Sequence, residues 1–159
     1  MNKIQFERDE PTIVDMFRPR VGLTERKVQP LVRPTFEGNE FSADKLKIVA
    51  LPDLPEGYDY RRPNLFAYLH CVRAEGHLSL DRFACSAILR DRVVLQALAH
   101  SFGGIPNASR IIFDGTAWKT GHGINFPAIA FIGGQFYPDL WSLADFRPKS
   151  IAYRAVLVQ

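Results

Sequence analysis

Cysteine is scarce in this chain. Cys71 and Cys85 are the only two, and both lie inside apolar runs, where a thiol behaves as a small buried hydrophobe. No disulfide framework can be built from them. With 159 residues the chain is long enough to bury a core without covalent staples, so a reducing compartment is the expectation. Long apolar runs are missing as well. Ala128 to Ile132 and Ala155 to Val158 are among the longest, far below the roughly 18 residues of a membrane span. Met1 to Arg8 carries Lys3, Glu7 and Arg8 with no apolar stretch behind them, unlike a signal peptide. The reading is a cytoplasmic protein with no membrane contact.

Complete catalytic motifs are also absent. A phosphate-binding loop needs G-x4-G-K-[ST], but Trp118 precedes Lys119-Thr120 where glycine would let backbone N–H groups face phosphate. The nuclease pattern of an acid two positions before a lysine fails at Ala117. No G-x-S-x-G elbow occurs. His70, Cys71, His77, Cys85, His100 and His122 invite a metal reading, yet no C-x2-C or H-x3-H pair exists. Cys85 and His100 would lie about 22 Å apart on an unbroken helix. No metal and no cofactor is expected.

Charge is present but modest, a net +3 with a pI near 9.0. Its distribution is more informative. Between Met16 and Pro34, Arg18, Arg20, Arg26, Lys27 and Arg33 stand against Glu25 alone, a local excess suited to phosphate or an acidic partner. Further along, Phe126, Phe131, Phe136, Tyr137, Trp141 and Phe146 crowd together with Arg147 and Lys149 behind them. Aromatics beside cations can stack bases or form a protein-binding hot spot; equally, they can fill a core. The partner-binding candidates are Arg18, Arg20, Arg26, Lys27, Arg33, Trp141, Arg147 and Lys149.

Seven of the eleven prolines fall in the first 64 residues, leaving no room for a long helix there. Lys27 to Phe36 and Lys45 to Leu51 read as short strands, the second as a half-exposed edge. Leu65 to Val72 is an apolar run of strand length followed by a turn at Arg73 to Gly76, with a short helix as the other reading. Ser79 to Gly104 is the clearest element, an amphipathic helix or helix pair. Asp91 interrupts its apolar face and either is a buried, paired carboxylate or caps a second helix. Gly103-Gly104 and Pro106 end it. Arg110 to Lys119 reads as a hairpin about Asp114-Gly115. Ala128 to Ile132 reads as a strand, and Leu140 to Phe146 as a helical turn. Ser150 to Gln159, apolar on both faces, reads as a central strand.

The expected architecture is α+β: a mainly antiparallel sheet, one helical layer from the helix or broken helix at 79–102, and an extended Pro-rich N-terminal arm. It is read as a single domain over 1–159, with arm and edge strands in 1–64 and a compact core in 65–159. Two functions compete. The first is a small non-catalytic binding or regulatory protein that engages a protein or nucleic acid through the basic segment and an aromatic surface. The second is a hydrolase or transferase on a phosphorylated or nucleotide substrate, with His122 as acid/base, Lys119 as anion ligand and Asp114 orienting them beside a glycine-rich turn.

Overall fold

The computed structural model describes residues 3–8, 17, 30–101, 109–121, 123–147 and 152–159. Strand β1 (Lys3–Gln5) pairs with β2 (Glu40–Ser42) in a small antiparallel ribbon. The remaining strands are β3 (Leu46–Ala50), β4 (Leu78–Ser79), β5 (Ser109–Ile112), β6 (Trp118–Thr120), β7 (Gly123–Ile132), β8 (Gln135–Ser142) and β9 (Ala152–Leu157). They make one sheet of seven strands, antiparallel except where β5 runs parallel to β9. The three α-helices among the described residues are α1 (Leu65–Ala74), α2 (Arg82–Leu89) and α3 (Arg92–Ser101). The α+β architecture with a mainly antiparallel sheet and a helical layer is therefore present.

Alternating residues send two apolar clusters to opposite faces of this sheet. Ile111, Ile129, Ala155 and Leu157 pack with Leu80, Ala84, Ile88 and Leu98 of the α2–α3 side. Ile112, Phe126, Ala128 and Ala152 pack with Leu65, Tyr68, Leu69 and Val72 of α1. The period of two along each strand produces this division. β9 lies between β3 on one edge and β4 and β5 on the other, the central place its two apolar faces predict.

The helix broken at Asp91 is found. Asp91 Oδ1 accepts from the backbone N–H groups of Val93 at 3.1 Å and Val94 at 3.2 Å, so it caps α3. The first helix starts later than its apolar pattern predicts, because Leu78 and Ser79 pair with β9 and Asp81 is the cap of α2. Asp81 also holds Arg8 at 2.6 Å, and Arg8 donates to the carbonyls of Phe36 and Glu37, which ties the β1 segment to the start of α2. Asp91→Ala should cost about 0.5–2 kcal/mol, with Asp91→Asn or Asp91→Ser nearly neutral, when urea melts of the three variants are compared.

Four local readings are corrected. Leu65 to Val72 is helical, not extended: Asn64 caps it by accepting from Ala67 N at 3.1 Å, and Gly76, at φ 80°, follows its end. The hairpin about Asp114-Gly115 does not form. β5 and β6 both pair with the same edge of β7, opposite β8, and the segment between them is a buried excursion. The strand reading of Lys27 to Phe36 fails over 30–36, while 27–29 lie outside the described residues. Pro30 and Pro34 lack the N–H that a ladder requires, and Leu31 N donates to Ala117 O at 2.7 Å. The turn at Leu140 to Phe146 is shorter than its reading: β8 runs to Ser142 and a 3₁₀ turn covers Leu143–Asp145. Gly103, Gly104 and Pro106 lie outside the described residues.

Candidate functional site

Asp114 sits in the excursion between β5 and β6, 1% exposed. Tyr68 Oη of α1 donates to its Oδ2 at 2.7 Å. Arg154 of β9 engages both carboxylate oxygens, through Nε and, at 3.3 Å, through Nη2. The same guanidinium reaches Glu75 Oε2 at 3.0 Å. Burial works against the Arg154 charge, and contact with Asp114 outweighs it, so its pKa is raised. Burial, then the Asp114 charge, pushes the Tyr68 phenol well above its ordinary 10.0.

The sign of this shift fixes a pH response. Tyr68 stays neutral in the fold, so its contribution is complete below pH 10 and is lost as pH rises further. Tyrosinate absorbance measured during alkaline unfolding should show a component that appears only with loss of helical signal, and Tyr68→Phe should remove it.

Lys119, on β6, is exposed, whereas Asp114 is enclosed with Arg154 and Tyr68; His122 lies outside the described residues. Among the described residues no three His, Cys, Asp or Glu side chains gather as for a metal ion. Cys71 and His70 are neighbours on α1 rather than on a strand, with His70 exposed.

Of the partner-binding candidates, Arg18, Arg20, Arg26, Lys27 and Lys149 lie outside the described residues, and Arg33 is exposed. Arg147 donates to the carbonyls of Ala144 at 2.8 Å and Phe146 at 2.6 Å, bracing the 3₁₀ turn. Trp141 is corrected from surface to core. It is 7% exposed, stacked 6.2 Å from Phe126 and edge-on 6.0 Å from Phe146 under α1. Its indole serves the same apolar cluster as Leu65 and Leu69.

The most exposed aromatic among the described residues is a different one. Phe66 of α1 is 84% exposed. At about 100° per residue, Phe66, His70 and Arg73 fall within about 60° of one another, on a face turned by about 120° from the centre of the buried Leu65, Tyr68, Leu69 and Val72. Arg61 and Arg62 stand just before the helix in a turn with a fixed shape. Asp59 accepts from Arg61 N at 2.9 Å and Arg62 N at 3.0 Å, Tyr58 Oη accepts from Asn64 N at 3.0 Å, and Tyr60 stacks on Phe146. Arg61, Arg62, His70 and Arg73 are all exposed. No acidic residue occurs between Arg61 and Ala74. Among the described residues, none of these three guanidinium groups has an ion-pair partner. The result is a bare ring on an exposed helical face, with two exposed arginines before the helix and one in its last turn.

A second surface feature is a groove of about 300 Å³ between β3 and α3, floored by Leu46, Val94 and Leu98. Asp44 and Lys47 on its rim carry opposite charges, so it favours neither sign of ligand. No helix among the described residues is long and apolar enough to cross a membrane. Compared with protein-family models, curated proteins and solved structures, the chain matches none.

Proposed function

We propose that this protein is a non-catalytic binding protein that engages a larger anionic partner through the outer face of α1, Arg61 and Arg62, and the basic stretch of sequence from Arg18 to Arg33. The observation that carries this reading is that the guanidinium groups of Arg61, Arg62 and Arg73 are exposed, have no ion-pair partner among the described residues, and have no carboxylate between them in the sequence. Such a cluster raises the local potential and draws counter-charge to it. The competing enzyme needs Asp114 to orient an acid/base group on a substrate, but the Asp114 carboxylate is committed to Arg154 and Tyr68. Its enclosure favours the binding reading. The cytoplasm suits two free thiols, Cys71 and Cys85.

Elution from an immobilised polyanion such as heparin tests the proposal. Arg61→Glu/Arg62→Glu/Arg73→Glu, and separately Arg18→Glu/Arg20→Glu/Arg26→Glu/Lys27→Glu, should elute at clearly lower salt than the parent. Lys45→Glu/Lys47→Glu/Arg92→Glu changes as much charge as the first variant on another exposed surface and should shift elution far less. Equal shifts in all three variants would mean that net charge alone governs retention, and the proposal would fail.

A further inference from the structure

We infer that the outer face of α1 is a stacking platform for single-stranded nucleic acid: a base lies on the Phe66 ring while Arg61, Arg62 and Arg73 hold the flanking phosphates. This rests on the reading of the protein as a binding module for an anionic partner, and it names that partner.

The arrangement along the helix supports it. With a rise of about 1.5 Å per residue, His70 lies about 6 Å and Arg73 about 10 Å beyond Phe66 along the axis, while Arg61 and Arg62 precede the N-terminal end of the helix. Cations therefore stand both before and after the ring along the chain, and a strand threading over the ring would meet them in that order. Ala67 and Ala74 beside this face are small and leave the ring open. A duplex keeps its base faces stacked on one another and offers none to an isolated phenyl ring, whereas an unpaired base does. A protein partner is the weaker fit. Hot spots work inside a contiguous patch that excludes water, and the exposed neighbours of Phe66 on this face are His70 and Arg73 rather than apolar side chains.

Fluorescence anisotropy with a labelled oligothymidylate of roughly 16 nucleotides, the matching oligouridylate and a duplex of the same length tests the inference; the first two separate DNA from RNA as the source of the bases. At about 50 mM salt the full chain should bind both single strands more tightly than the duplex. Phe66→Ala should weaken single-strand binding by about ten-fold and leave the salt dependence unchanged, and Phe66→Trp should restore it. Arg61→Ala/Arg62→Ala/Arg73→Ala should flatten the slope of log affinity against log salt by about 2, at about 0.7 per phosphate contact on a single strand. Phe66 is exposed, so its variants should melt with the parent.

A parent that ignores single strands at low salt, a preference for duplex, or full binding by Phe66→Ala would overturn the inference. So would a polyglutamate chain bound as tightly and with the same dependence on Phe66. If single strands bind but only Arg18→Glu/Arg20→Glu/Arg26→Glu/Lys27→Glu matters, the platform on α1 is wrong while the binding function stands. If no oligonucleotide binds and polyanion retention is also indifferent to both sets of arginine and lysine replacements, the two fall together.

Discussion

Arg154→Met should destabilise the fold by about 3–5 kcal/mol, because it strands the buried Asp114 carboxylate with, among the described residues, only the Tyr68 hydroxyl to satisfy it. Asp114→Leu should cost a similar amount for the converse reason, leaving a buried guanidinium with only Glu75. The double variant is the decisive member. Removing both charges removes both desolvation penalties, so its loss should be well below the sum of the singles, a coupling of up to about 3 kcal/mol. Strictly additive losses in urea melts would show that the pair does not interact. The three linked groups come from α1, the β5–β6 excursion and β9, so the same variants should loosen the docking of α1 on the sheet.

The second large effect concerns the neighbour of Asp114. A Cβ on Gly115 would lie 2.6 Å from the carbonyl carbon and oxygen of Leu80, and 2.9 Å from Asp81 N. These are backbone atoms, so no side chain can swing aside. Gly115 N donates to Leu80 O at 2.8 Å, which fixes the close approach. Any shift would also disturb Asp81, which caps α2 and holds Arg8. Gly115→Ala should therefore cost about 3 kcal/mol. Gly121→Ala is the control, since a Cβ there meets nothing within 4 Å, and it should stay within about 0.5 kcal/mol of the parent. Equal melts for the two variants would contradict the tight contact.

The parts of this fold that were legible in the sequence are those governed by neighbours along the chain. Asp91 capping its own following residues is one; the doubly apolar segment that became β9 is another. The excursion was illegible because Asp-Gly has the local chemistry of an exposed turn, and what buries it here, Arg154, lies forty residues away. Helix α1 reads first as a strand, with the helix as the other reading, for a reason that bears on function. Its buried residues Leu65, Tyr68, Leu69 and Val72 have helical spacing, but Phe66 and Cys71 fill the gaps and turn the pattern into a continuous apolar run. An amphipathic helix of this kind ordinarily carries a polar residue where Phe66 stands. The residue that obscured the helix is thus the one that marks its surface. Trp141 erred in the opposite direction, since proximity to Arg147 and Lys149 in sequence says nothing about which face of β8 its ring takes.

Whether the outer face of α1 is the contact surface is most directly measured by titrating isotope-labelled protein with a single-stranded oligonucleotide and following backbone amide resonances. The largest changes are expected from Arg61 to Ala74, centred on Phe66, His70 and Arg73, with the enclosed Asp114 and Arg154 nearly unmoved. Changes concentrated instead along β8 or in the groove between β3 and α3, with α1 silent, would contradict that expectation.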